Sequence, residues 1–226
     1  MKLINYSSFF SNDISLYMSS STLFHSESKK NRINKIQKLL KLDQRRFITP
    51  VQIHSDKICF VEDDSMLSPE CDSVIFHANS GLIGTISIAD CVPGCIFDSA
   101  NEMISLVHSG WKGTLKNIVR KTVLKMIMLG SKKEDLKIFL GPSIRWCCYQ
   151  VDETLSKKFN RDSVRVKSQK YFIDLIKQIT FDLKEISIPD KNLFIQSDCT
   201  YENSNYHSFR RDGNLSGRMT LIAFKN

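Results

Sequence analysis

No stretch of this sequence approaches the roughly 18 uninterrupted apolar residues of a membrane-spanning helix, so neither a transmembrane span nor a membrane partner is expected. The start, Met1-Lys-Leu-Ile-Asn-Tyr-Ser-Ser-Phe-Phe-Ser11, lacks the continuous apolar core of a secretory signal because polar residues interrupt it. The expected location is therefore cytoplasmic. The cysteines, at 59, 71, 91, 95, 147, 148 and 199, contain no Cys-x-x-Cys pair and no regular framework, which speaks against a disulfide scaffold. In a reducing compartment they are expected as free thiols, with one or two chemically employed. Internal repeats, low-complexity tracts and linkers are lacking too.

What is present is an ordinary globular balance of 42% apolar and 25% charged residues, which argues for a folded chain rather than a disordered one. Its 226 residues suit a single domain, spanning 1–226, with a well-buried core. The formal charge of +8 raises the question of an acidic partner. Only Ser28-Lys-Lys-Asn-Arg-Ile-Asn-Lys-Ile-Gln-Lys38 is densely basic, however, and no aromatic side chains interleave with its charges as base stacking requires. A solvated helical face is the better reading, and no nucleic-acid partner is expected.

Residues 1–26 read as an irregular or strand-forming start. Ile33, Ile36, Leu39, Leu40 and Leu42 recur at helical spacing. Phe47 to His54 resembles a strand held to an edge or bulge by Pro50. Short apolar runs between turn residues then predict consecutive buried strands at 73–76, 82–88, 94–98 and 103–108. A helix is predicted over Thr114–Leu129, closed by Gly130. A strand is predicted from Lys137, helices over 150–159 and 171–184, and a terminal strand from Met219 to Phe224. The pattern is a mixed domain with helices covering sheets.

Three segments place a metal-ligating side chain beside glycine, proline or an acid: Gln52-Ile-His-Ser55, Ala89-Asp-Cys-Val-Pro93 and His108-Ser-Gly-Trp-Lys-Gly113. Two imidazoles and a thiolate, from His54, Cys91 and His108, suit zinc and leave a fourth position for water or substrate. An open position points to catalysis. Spacing alone links these residues weakly, and a second chemistry is open: Cys91 as nucleophile with His108 as its base. The order of residues does not separate the two.

Taken in order, Phe47 to His54, Ala89-Asp-Cys-Val-Pro93, His108-Ser-Gly-Trp-Lys-Gly113, Gly141-Pro-Ser-Ile-Arg-Trp-Cys-Cys-Tyr-Gln-Val151, Cys199-Thr200 and Ser208-Phe-Arg-Arg-Asp-Gly-Asn-Leu-Ser-Gly-Arg-Met219 closely resemble the motifs of the YfiH-like (laccase-domain) family. The resemblance covers about 45–225, and six ordered motifs are far more specific than any one of them. It implies an α+β domain of layered mixed β-sheets flanked by helices, similar to the catalytic domain of cytotoxic necrotizing factor toxins. It implies a metal held by His54, Cys91 and His108, with zinc the expected ion and copper the alternative.

The resemblance also implies purine nucleoside phosphorylase activity on adenosine, inosine and S-methyl-5'-thioadenosine, with adenosine deamination beside it. Purine nucleosides and phosphate are the partners so implied. Family members have also been described as copper-dependent phenol oxidases and as hydrolases that edit peptidoglycan precursors. A single three-ligand site lacks the several coppers that four-electron reduction of oxygen requires.

For the phosphate, Arg210 and Arg211, with Arg46, offer planar paired donors. Asp90, beside Cys91, is a candidate catalytic residue: it orients a ligand or caps a turn, and the two readings stand equal. Trp111 has a packing or a purine-stacking reading. His207 lies next to the arginine motif, where approach to substrate is the lesser of two readings, whereas His25 and His77 lack any motif and read as structural or surface residues. Cys95 is read as packing, and Cys147 and Cys148 are expected to be buried. Three departures from the family pattern stand out. Ser55 replaces a usual glycine, Lys112 a common arginine, and Gly94-Cys95 the usual bulky aliphatics.

Overall fold

A computed structural model describes residues 3–11, 13–23 and 27–225. His25 lies outside the described residues. In chain order the strands are β1 (Leu3–Asn5), β2 (Ser15–Ser19), β3 (Phe47–Ile48), β4 (Ile58–Val61), β5 (Ser73–His77), β6 (Ile83–Ile88) and β7 (Val92–Asp98). They continue as β8 (Met103–Ser109), β9 (Leu136–Leu140), β10 (Gln150–Val151), β11 (Val164–Lys167), β12 (Lys170–Ile173), β13 (Leu193–Ile195) and β14 (Met219–Phe224). The α-helices are α1 (Lys29–Leu39), α2 (Trp111–Leu115), α3 (Ile118–Met128), α4 (Glu153–Ser156), α5 (Leu175–Glu185) and α6 (Phe209–Asp212).

These elements build a mixed α+β fold with two large sheets, in the orders β1-β2-β14-β6-β3 and β13-β9-β7-β8-β5-β4, and a small sheet β10-β12-β11. The two large sheets pack face to face. Leu16, Met18, Ile86, Ile88 and Leu221 of the first meet Val74, Phe76, Phe97, Leu106 and Phe139 of the second. On the far side of the second sheet, Ile75, Ile96, Val107 and Ile138 face Val119, Val123 and Met126 of α3 and Ile179 and Leu183 of α5. On the far side of the first, Ile83, Ile222 and Phe224 cover Ile36 of α1. Strands buried on both faces need apolar side chains at successive positions, which is why β6, β7 and β8 read as continuous runs rather than alternations.

The strands expected at 73–76, 82–88, 94–98, 103–108 and 219–224 form within a residue or two of those positions. Phe47 to His54 keeps ladder pairing at β3, on the sheet edge before Pro50, and a single bridge from Val51 to Glu70 beyond it. Three helical expectations need correction. The helix over 114–129 is broken, because Asn117 takes a left-handed conformation (φ 58°) between α2 and α3. Only Glu153–Ser156 is α-helical within 150–159, since Gln150 and Val151 pair with Phe172 and Tyr171. The helix expected over 171–184 starts only at Leu175, capped by the Asp174 carboxylate accepting from the Lys177 N–H. Its apolar lead-in instead forms a hairpin around Ser168 and Gln169, both at positive φ as a tight two-residue turn demands.

Candidate metal centre and cleft

One crossing between sheets, one strand end and one loop bring the three expected ligands together. Cys91 lies where the chain leaves β6 of one sheet for β7 of the other, and His108 lies near the end of β8. His54 lies in the loop between β3 and β4. One end of that loop is tied to β6 by Gln52, whose amide donates to the Ser87 carbonyl (2.8 Å) and accepts from the Ser87 N–H (2.7 Å). The ligand atoms of His54, Cys91 and His108 all lie within 4.8 Å of one another. The two imidazoles meet edge to face with centroids 4.8 Å apart.

The residue that organises the set is Asp72, just before β5, where chemistry-bearing motifs in the sequence do not point. Its buried carboxylate accepts from the backbone N–H of His54 (3.1 Å) and Ser55 (2.6 Å), from the Ser55 hydroxyl (2.8 Å), and meets His108 Nδ1 at 2.8 Å. Those bonds hold His54 in its left-handed turn (φ 57°) and leave the other ring nitrogen of His108, Nε2, to Cys91. Ser55, unusual for the family pattern, adds a donor to this carboxylate rather than weakening the turn. The only sequence trace of Asp72 is an acid opening a run of buried strand residues.

Electrostatics prepares the thiolate for ligation, while His108 has to release a proton to bind a metal. Burial pushes the Cys91 thiol up, but His108 and His54 outweigh it and bring it down to about 6. Burial pushes His108 down, but the charge of Cys91 and the Asp72 hydrogen bond raise it to about 9. Burial raises Asp72, yet the bonds from His108 and Ser55 hold it at about 2. A borderline thiolate, two imidazoles and an acidic partner on one ring nitrogen are a donor set that fits a zinc-type ion. Gly110 is required beside it: a Cβ there would lie 2.8 Å from Cys91 Sγ and 3.3 Å from His54 Cδ2.

The ligands open on a cleft of about 540 Å³ lined also by Gln52, Trp111, Ile144, Tyr149, Leu175, Phe209, Arg210 and Arg218. Arg210 lies over the Tyr149 ring at 5.1 Å and Arg218 over Phe209 at 5.7 Å, so aromatic faces hold both guanidinium groups in the wall. Arg218 belongs to the same terminal motif as Arg210 and Arg211, but sequence order gives no sign that it, rather than Arg211, faces the cleft.

Of the other expected arginines, Arg46 pairs with Asp64 away from the cleft lining. Arg211 donates to the carbonyls of Thr200, Tyr201 and Tyr206 and pairs with Asp212, which makes it a staple for the 200–206 loop. Asp90 lines the cleft, at φ 81°, and its carboxylate accepts from the Thr200 hydroxyl (2.6 Å) and the Arg210 N–H (2.7 Å). It thus fastens α6 and the 200-loop beside Cys91.

Trp111 lines the cleft, whereas Lys112 lies over its ring at 5.6 Å and outside the lining. His207 is buried and outside the lining, and His77 is exposed at the end of β5. Cys95 is buried between the sheets. Cys147 and Cys148, expected to be buried, are exposed and half-buried instead.

Known proteins share much of this sequence and this fold. Residues 15–225 match the family model described as multi-copper polyphenol oxidoreductase laccase. The chain belongs to the YfiH-like, laccase-domain family. Among curated members, a purine nucleoside phosphorylase of Clostridium acetobutylicum is 35% identical over 179 residues, covering 77% of this chain and 75% of that protein. One of Borreliella burgdorferi is 35% identical over 168 residues, covering 71% and 72%. Among solved structures, the hypothetical protein YfiH of Bacillus licheniformis superposes with a TM-score of 0.88 at 23% identity, over 99% of this chain and 96% of that one. YlmD of Geobacillus stearothermophilus gives 0.84 at 21% identity, over 95% and 92%. These likenesses show the YfiH-like fold, and the family match reaches back through β2, which lies before the first of the motifs quoted above.

Proposed function

We propose that this YfiH-like protein is a zinc-dependent purine nucleoside phosphorylase acting on adenosine, inosine and S-methyl-5'-thioadenosine, built as one domain around His54, Cys91 and His108. The observation that carries the reading is the triangle of ligand atoms at the floor of a cleft whose walls hold two guanidinium groups and aromatic rings. The names of the relatives, purine nucleoside phosphorylases, support it.

Bound zinc would supply a Lewis acid with a position open for an oxygen of substrate or phosphate. The residues of the chain do the rest. Arg210, expected in this role from sequence, and Arg218, in place of Arg46 and Arg211, present their remaining guanidinium donors to phosphate. Phe209, Tyr149 and Trp111 offer faces to a purine. In the reaction a phosphate oxygen bonds to the anomeric carbon as the bond to the purine nitrogen breaks with its electron pair, and the departing base takes up a proton. Burial and the charge of Cys91 push the Tyr149 phenol up to about 12, so at neutral pH it keeps its O–H to donate toward that base.

Zinc-quantified protein incubated with adenosine, with and without phosphate, is the test. Adenine and ribose 1-phosphate should appear only with phosphate and vanish in Cys91→Ala. Arg218→Ala should raise the phosphate KM by roughly 10–100-fold, the worth of one charged hydrogen bond. Inosine formed without phosphate would add the deaminase. A zinc-loaded protein that leaves adenosine unchanged under both conditions overturns the reading.

One observation favours a second reading. Cys91, His108 and Asp72 form a thiolate, imidazolium and carboxylate in sequence, the order of a thiol hydrolase acting on amide bonds of peptidoglycan precursors. Amidase activity that survives metal removal and is lost on thiol alkylation would establish it. Phenol oxidation is tested by oxygen uptake, which must track copper content.

A further inference from the structure

Outside the cleft, three cysteines and a glutamate meet where two separate segments touch. Cys147 and Cys148 sit on the tight turn after β9, in which the Cys148 and Tyr149 N–H groups both donate to the Arg145 carbonyl at 2.9 Å. Cys199 and Glu202 sit between β13 and α6. One ligand atom from each of the four residues lies within 4.8 Å of all the others. We infer that Cys147, Cys148, Cys199 and Glu202 form a second, structural metal site for a thiophilic divalent cation of the zinc type.

Four features support the assignment. Three sulfurs and one carboxylate oxygen supply the full tetrahedral complement of a closed zinc site, unlike the three-ligand set in the cleft. Sulfur donors select soft d10 ions over magnesium or calcium. The Arg145 N–H already points at Cys199 Sγ (3.4 Å), a backbone donor in place beside a ligating sulfur.

The fourth is charge balance. Three thiolates and a carboxylate around a divalent ion leave two negative charges. The Arg145 guanidinium, with Nη2 buried and lacking a hydrogen-bond partner, lies near Cys199 and Cys147 as well as the carboxylates of Asp174 and Asp198, and offsets part of that charge. A disulfide accounts for the group less well, since the adjacent pair resists relaxed closure and any other pairing leaves a third thiol over.

The site would act as a clamp. Its two segments are joined nearby by a short bridge in which the Thr200 N–H donates to the Ser143 carbonyl (3.1 Å). The first carries Ile144 and Tyr149 of the cleft wall. The second reaches the neighbour of Cys91 through the Thr200 hydroxyl on Asp90. Cys147 and Glu202 are exposed, so an ion enters directly from solvent.

The test reads metal binding, so it stands apart from any assay of turnover. Full-length, reduced protein is titrated with Co²⁺ and Zn²⁺. The native chain should bind two equivalents. Cys91→Ala should retain one, with an intense thiolate-to-cobalt absorption band and a thermal midpoint that rises with zinc. Cys147→Ser/Cys148→Ser changes only exposed or half-buried positions; it should bind one equivalent and keep the cleft site. The inference is overturned if Cys91→Ala shows no thiolate-to-cobalt band. It is equally overturned if Cys147→Ser/Cys148→Ser still binds two equivalents.

Discussion

Asp72 accepts hydrogen bonds from two imidazole-bearing segments at once, and its charge is the reason both stay in place. Its carboxyl sits at about 2 against an ordinary 3.8. A depressed acid stabilises the fold fully above its unfolded value and loses that contribution as pH falls through its folded value. Its stabilisation, about 2 kcal/mol for a shift of nearly two units, should therefore disappear between about pH 4 and pH 2. Asp72→Asn should lower the urea-derived stability by about that amount at pH 7 and flatten its pH dependence below 4. It should also weaken zinc binding by roughly 10–100-fold, the usual effect of removing a carboxylate behind a ligand histidine. A variant as stable as the native chain and with unchanged zinc affinity would refute this role.

Gly110 is a second test at this scale. Gly110→Ala drives a methyl into Cys91 Sγ while touching no core residue named above. Zinc binding at the cleft should be lost, and the thermal midpoint of the metal-free protein should move by no more than roughly 2–4 °C, the equivalent of about 1 kcal/mol in a chain this long.

Among elements, the break between α2 and α3 places the site at a strand-to-helix corner. β8 delivers His108, Gly110 caps α2, and the left-handed Asn117 redirects the chain so that α3 can lie along the second sheet. A continuous helix from Trp111 would carry Val119 and Val123 away from that sheet. Asn117→Gly should cost about 1 kcal/mol, since it keeps the backbone but loses the amide's bonds to Asp182 and Thr114, whereas Asn117→Val should cost roughly 2–3 kcal/mol by chemical denaturation, because a β-branched residue also resists positive φ. Periodicity marks apolar residues on both sides of this corner but not the corner, since a 3.6-residue repeat survives a one-residue redirection. The hairpin at Ser168 and Gln169 escapes the pattern for a related reason: Phe172 falls in helical register with Leu175 and Ile176, and only pairing with β10 and β11 makes it a strand.

For the whole molecule, the four layers depend on the first strands of the chain. β2 sits inside the first sheet, paired with β1 and β14, and buries Leu16 and Met18 against the second. Removing residues 1–44, which hold none of the motifs, should strip β14 of a neighbour and expose the inter-sheet core. Such a truncated chain should show no cooperative thermal transition; a sharp one near the native midpoint would show the first strands to be dispensable.

The sequence by itself determined the central strands, whose unbroken apolar runs permit burial on both faces, and the identity of the three ligand candidates, whose side chains have few competing uses beside glycine and proline. It also determined the family, because six ordered motifs seldom coincide. Only the tertiary structure decided which charged side chains face the ligands. Asp72, 36 positions before His108 in the chain, reaches it through the pairing of β5 with β8. Arg218 enters the cleft while Arg211 is drawn into a loop and Arg46 to the surface. Cys147 and Cys148 meet Cys199 across a bridge between distant segments. Such choices rest on contacts between residues far apart in the chain, and local pattern carries no record of distance across a fold.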